Sequence, residues 1–225
     1  MTASAPVFVF TDVATDDLQA IHYLASKTPI AGIIIDTCVP DADNALRNIT
    51  LFNLLYFGGK LKIYTGSLRP IPNIPIPWRL DAQYTRYYLE QLYYEKTGKT
   101  TYCVLCYPCW REVDFNGAIL VTQTRVTTAV KIMERFRVKH VYSMLGNAPN
   151  DPTGEINAET DLEAYHKLLT YPNVSDFTLV DITQERIDKA KAYCLANNPP
   201  LFDMIYPPDQ DGWPFWDLTM VMNYF

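Results

Sequence analysis

The run Val7-Phe8-Val9-Phe10 alternates β-branched and aromatic side chains and then stops at Thr11. Residues of that kind with apolar groups on both faces read as a buried strand. A turn follows over 11–15. Residues 17–26 then place Leu18, Ile21 and Leu24 at helical spacing. A buried strand that feeds an amphipathic helix opens a βαβ unit, and the same alternation continues along the chain. Residues 30–36 form a second apolar strand. A helix over 43–57 carries Leu46, Ile49, Phe52, Leu54 and Leu55 on a wide apolar face and ends at Gly58-Gly59. A short strand over 62–66 enters a turn. Later come a strand at 118–122, a helix over 127–136 with Val130, Met133 and Phe136 inward, and a strand over 138–145. The expected architecture is α/β: a mostly parallel open sheet flanked by helices, Rossmann-like.

A chain of 225 residues that is 48% hydrophobic can fill the core of one such domain across 1–225. An elaborated Pro/Tyr/Cys-rich insertion is expected at about 70–115. There Pro70, Pro72, Pro75 and Pro77 predict an extended surface loop, and the Tyr-rich segment 84–94 predicts a packing or partner-facing helix, with a base-stacking platform as the other use. The net charge of −6 argues against nucleic acid or an anionic membrane as main partner. No apolar run approaches a membrane span, and Met-Thr-Ala-Ser-Ala-Pro carries neither a basic region nor a hydrophobic signal core, so a soluble cytoplasmic protein is the expectation. Five cysteines argue against a disulfide framework. Cys103, Cys106 and Cys109 have a spacing that can share zinc, with Cys38, Cys194 or a distant His as fourth ligand. No second knuckle is present, and three partly buried thiols among aromatics is the preferred reading.

Asp12, Asp16 and Asp17 cluster where the first strand ends and the first helix begins. In open α/β sheets ligands bind at that edge. Clustered carboxylates repel unless a cation sits between them, and a hard divalent ion held by oxygen is the usual solution. The simpler alternative is that Asp16 and Asp17 serve the helix start and its dipole.

The run 10–20 resembles the N-terminal signature of the inosine/uridine-preferring nucleoside hydrolases, Asp-Thr-Asp-Pro-Gly-x-Asp-Asp-x-x-Ala, with its second, third and fourth acids on Asp12, Asp16 and Asp17. Phe10 stands in place of the first Asp, and Val13-Ala14 in place of Pro-Gly. Arg47-Asn48 and the 62–66 strand resemble the family's next elements, whereas Cys38-Val39 occupy the place of its Gly-Asn pair and its His-Gly-x-Asp-Gly loop has no counterpart. Leu120 to Thr128 resembles Leu-Val-Pro-x-Gly-Pro-Leu-Thr-Asn, with Gln123 at x. Gly146-Asn147-Ala148 is similar to Gly-Gly-Ala, Glu155-Ile156-Asn157 with Asp161-Leu162-Glu163-Ala164 to Glu-Phe-Asn-x-x-x-Asp-Pro-Glu-Ala, and the strand expected over 177–183 to Pro-Leu-Asp-Val-Thr. Trp216-Asp217 stands where the family has His-Asp. Read by themselves, Asp161 caps a helix over 162–169, and Asp217 caps a C-terminal helical turn.

The resemblance implies a divergent, shortened nucleoside-hydrolase-like chain and a set of roles. Calcium would be held by Asp12, Asp17, Asp217 and the backbone carbonyl of Gln123, with Asp12 also the base that activates water. Asp16, Glu155 and Asn157 would hold the ribose, and Trp216 would stack on the base of a nucleoside substrate. His22, His140 and His166 lie in no matching motif; Tyr206 or another tyrosine could assist the leaving group, and the sequence does not choose among them. Members self-associate, so dimers, tetramers or other subunits are expected partners. The implied activity is calcium-dependent hydrolysis of the N-glycosidic bond of ribonucleosides. The alternative is a catalytically inactive binding or structural subunit.

Overall fold

The computed structural model describes residues 4–37, 42–68, 76–104, 106–197 and 215–225. Six parallel strands form one sheet: β1 (Val7–Thr11), β2 (Ile30–Ile35), β3 (Ile63–Thr65), β4 (Ile119–Thr122), β5 (His140–Met144) and β6 (Val174–Phe177), in the order β3-β2-β1-β4-β5-β6. The α/β class read from the sequence is therefore correct. Strand order reverses between β1 and β4, and a reversal of this kind opens a crevice beyond the carboxyl ends of the two strands.

Period-two alternation in β1 builds both halves of the core. Val7 and Val9 face a cluster that includes Leu18, Ile21 and Leu24 of α1 (Thr15–Lys27), Ile49 and Phe52 of α2 (Ala42–Phe57), and Leu218 and Val221 of the C-terminal helix. Phe8 and Phe10 face the other cluster, with Ala129 and Ile132 of α4 (Thr127–Met133) and Tyr165 and Leu168 of α6 (Leu162–Leu168). Gly32 on β2 lies opposite Phe8, and a Cβ there would meet the Tyr64 ring at 2.8 Å and the Phe8 ring at 3.0 Å.

Several elements differ from expectation. Pro70, Pro72 and Pro75, where the extended loop is expected, lie outside the described residues. The helix that follows, α3 (Ile76–Thr97), already includes Pro77 in its first turn, where a missing N–H breaks no helical bond. Tyr88 and Tyr93 of α3 pack on the core, whereas Tyr84, Tyr87 and Tyr94 are exposed. Residues 156–159, ahead of the helix that Asp161 caps, form the short helix α5 (Ile156–Glu159). The strand expected over 177–183 ends at Phe177, and a 3-10 turn, Leu179–Asp181, takes its place. The cause is local: the Asp181 carboxylate accepts from both the N–H and the hydroxyl of Thr178 at 2.9 Å, which curls the backbone away from the sheet. The helix α7 (Gln184–Asn197) has no counterpart in the sequence reading. The expected C-terminal turn is a full helix, α8 (Trp216–Tyr224), which packs along α1, α7 and β5. Among the described residues, no helix is long and apolar enough to cross a membrane.

Candidate metal and substrate site

At the carboxyl end of β1 the chain makes a tight turn through Val13, whose φ of 70° is rare for a β-branched residue. Two hydrogen bonds brace it: Val13 N–H donates to Thr11 Oγ1 at 2.8 Å, and Ala14 N–H to Asp12 Oδ1 at 3.3 Å. The turn delivers Asp12, buried at the strand end, directly to the start of α1. Asp17 Oδ1 accepts from Thr11 Oγ1 at 2.5 Å and from the Asp12 N–H at 3.2 Å. Ala14 occupies the helix N-cap without a side-chain bond, so neither Asp16 nor Asp17 is a capping residue.

Across this turn lies the first turn of α8. Asp16, Asp17 and Asp217 each offer a carboxylate oxygen, and these oxygens all lie within 4.8 Å of one another. Asp217 is not a cap either: Phe215 holds that position, and Asp217 itself is buried. Its Oδ1 is buried and has no hydrogen-bond partner among the described residues. Burial pushes the Asp17 carboxyl well above the ordinary carboxylate range, and the charges of Asp12 and Asp16 push it further. Burial also raises Asp217, helped by Asp17, Asp16, Asp12 and Glu155 in that order. Such groups resist ionising together unless a cation compensates them. Hard oxygen donors with an unsatisfied oxygen in their midst match the preference of a calcium-sized ion.

Gln123 follows β4 across the switch point, and its N–H donates to Phe10 O at 2.9 Å. Glu155 and Asn157 come from the loop after β5. Glu155 caps α5: its carboxylate accepts from Asn157 N–H at 2.9 Å, Ala158 N–H at 2.8 Å and Gly146 N–H at 2.9 Å. Burial nonetheless raises its pKa. Asn157 Nδ2 donates to Met144 O at 3.4 Å. Trp216 opens α8 and packs half-buried against the core on the α1 side. The structure thus brings Asp16, Asp17 and Asp217 together, ties Asp12 to Asp17, and sets Gln123, Glu155 and Asn157 around the same rim.

The histidines are engaged elsewhere. His22 packs edge-on against Tyr56 with ring centroids 5.7 Å apart, His140 shares a 2.8 Å bond with Ser175 Oγ, and His166 lies against Tyr165. Tyr206 and Cys38 fall outside the described residues. Cys103 and Cys106 are exposed and Cys109 half-buried. Among the described residues, the acid trio is the only group of three or more metal-type donors that converges.

One rim feature had no place in the sequence reading. Asp36, fully buried after β2, accepts from Arg125 Nε at 3.3 Å, Ser67 N–H at 3.2 Å and Thr128 N–H at 3.2 Å. Arg125 reaches on to Ser67 Oγ at 2.7 Å. The pair clamps the ends of β2, β3 and β4 together. Only the adjacency of Arg125 to Gln123 hints at it in the sequence.

No protein-family model matches this chain, and no curated protein matches it in sequence. Solved structures do share its fold. An inosine-uridine preferring nucleoside hydrolase from Bacillus anthracis superposes with a TM-score of 0.65 at 17% identity, over 97% of this chain and 81% of that one. A plant nucleoside hydrolase gives 0.62 at 16%, over 97% and 78%. A purine-preferring ribonucleoside hydrolase from Gardnerella vaginalis gives 0.58 at 14%, over 88% and 70%. Likeness at these identities establishes a shared fold.

Proposed function

We propose that this protein is a nucleoside N-ribohydrolase whose activity depends on calcium held by Asp12, Asp17, Asp217 and the backbone carbonyl of Gln123. One observation carries the reading: Asp17 and Asp217, from two remote segments, come with Asp16 within 4.8 Å of one another at the β1/β4 switch point, the Asp217 Oδ1 is buried with no hydrogen-bond partner among the described residues, and the Asp12 N–H donates to Asp17. The fold shared with solved nucleoside hydrolases supports it.

Calcium held there would supply positive charge that makes a nearby water more acidic. Asp12 would accept the proton of the attacking water, the role of a general base. As the bond from the sugar to the base breaks, the anomeric carbon gains cationic character, by analogy with glycoside hydrolysis. Asp16, more accessible than Asp17, grips the ribose hydroxyls with Glu155 and Asn157. They favour the distorted ring more than the ground state, which is how their binding becomes rate. Trp216 provides a ring face for the base. The inactive-subunit alternative draws no support from the acid cluster, since a protein kept only for packing has no use for carboxylates buried at such cost.

Ribose release from common nucleosides, measured with and without chelator, tests the proposal. The expected result is calcium-dependent turnover that falls by about 100-fold or more in Asp12→Ala. Turnover unchanged in that variant refutes the base assignment, and no turnover with calcium bound refutes the activity.

A further inference from the structure

Gln123 presents a second unsatisfied group at the same rim. Its side chain is 2% exposed, and both Oε1 and Nε2 are buried with no hydrogen-bond partner among the described residues. A carboxamide sealed from water in this way is unfavourable unless something else completes it. The strand pattern indicates where it points. Val9 and Val121 are register partners and both face the cluster covered by α1 and α8, whereas Phe10, beside Thr122, faces the other side. The ladder continues one residue further through the Gln123 N–H to Phe10 O bond. Period two therefore puts the Gln123 side chain on the Val121 side, beneath the first turns of α1 and α8 that carry Asp17 and Asp217.

We infer that the Gln123 side-chain amide is itself a ligand of the cation site: Oε1 completes the shell begun by the acids, in addition to the backbone carbonyl of the same residue. This rests on the cation reading above. Gln123 lies as deep as Asp17 and Asp217, at 2%, 1% and 4% exposure, on the side of the sheet that α1 and α8 cover. Amide oxygens are regular calcium ligands, and a neutral donor beside three carboxylates adds coordination without further repulsion.

The test is Gln123→Met, which keeps length and volume and removes the amide, with Gln123→Glu as the companion that restores an oxygen. Calcium binding is measured by calorimetry without nucleoside, and melting is followed in chelator. The expected result is calcium affinity weakened about tenfold in Gln123→Met, the equivalent of about 1.4 kcal/mol. It should be recovered in Gln123→Glu. The chelated Gln123→Met protein should melt higher than wild type by about 2–6 °C, because an unsatisfied buried amide has gone. A merely structural amide would instead lower melting in chelator and leave affinity unmoved. Affinity within twofold of wild type overturns the inference, as does a loss confined to ribose binding, which would assign the amide to the sugar. Wild type that fails to bind calcium sinks this inference and the calcium dependence together. Wild type that binds calcium but releases no ribose sinks only the activity.

Discussion

Asp217→Asn gives the most direct measure of whether the acid cluster is built around a missing positive charge. Two unit charges 4.8 Å apart at an effective dielectric of about 20 repel by ~3.5 kcal/mol. Ionising all of Asp16, Asp17 and Asp217 creates three such pairs, or about 10 kcal/mol, as much as the whole stability of an ordinary domain. Without a cation the cluster therefore keeps protons. The folded-state pKa values of Asp17 and Asp217 are raised, so their contribution is intact below the ordinary carboxylate value near 4 and is lost as pH rises beyond it. Metal-free wild type should accordingly lose melting temperature between pH 5 and 8. Asparagine at 217 removes the charge at nearly constant shape. Asp217 takes part in two of the three pairs and retained protons relieve one of them, so at pH 8 in chelator the variant should gain about 3.5 kcal/mol, roughly 7–14 °C for a chain of this size. Saturating calcium should reverse the order, because wild type gains from binding and the variant gains far less. The assay is thermal melting across pH, with chelator and with calcium. A variant that melts no higher than wild type at pH 8 in chelator, or that gains as much from calcium, refutes the reasoning.

Two further perturbations probe the rim. Burial, then the charges of Asp181 and Glu155, holds Asp176 up to about 7, so its contribution to stability is lost as pH climbs from about 4 through 7. Asp176→Asn should lessen the slope of stability between pH 5 and 8 that Asp17 and Asp217 share, and an unchanged slope in urea titrations would exclude a contribution from Asp176. Arg125→Met strands the Asp36 carboxylate, which is fully buried, and should cost about 3–5 kcal/mol. The double variant Asp36→Asn/Arg125→Met should recover at least half of that loss in denaturant melts, since no buried charge is left.

What the sequence made legible is what local pattern encodes. Val7 to Phe10 alternate with period two, and Leu18, Ile21 and Leu24 repeat at helical spacing, so β1, α1 and the class of the sheet could be read directly. Asp12, Asp16 and Asp17 stood out because they are neighbours at a strand-helix junction. The approach of Asp217 could not be derived that way. It is set by α8 packing along α1, a contact across some 200 positions that only a resemblance could suggest. The helix α7 went unseen because its inward residues, Ile187, Ala190 and Cys194, are sparse among charges. β6 was misplaced because Val-Ser-Asp-Phe is too polar to read as a strand, while the later Leu-Val looks apolar enough yet is turned by Thr178 and Asp181. Asp36 and Arg125 each resemble an ordinary loop charge, and only coordinates reveal that they find one another.

The docking of α8 on α1 also sets an order of events during synthesis. Until residues 216–224 leave the ribosome, the hydrophobic floor formed by Val9, Val121 and Met144 lacks one of its covers. A nascent chain halted before that helix would already carry Asp12, Asp16 and Asp17 but would present sticky surface instead of a binding pocket. Asp217 reaches Asp16 and Asp17 only with the same segment that closes the core.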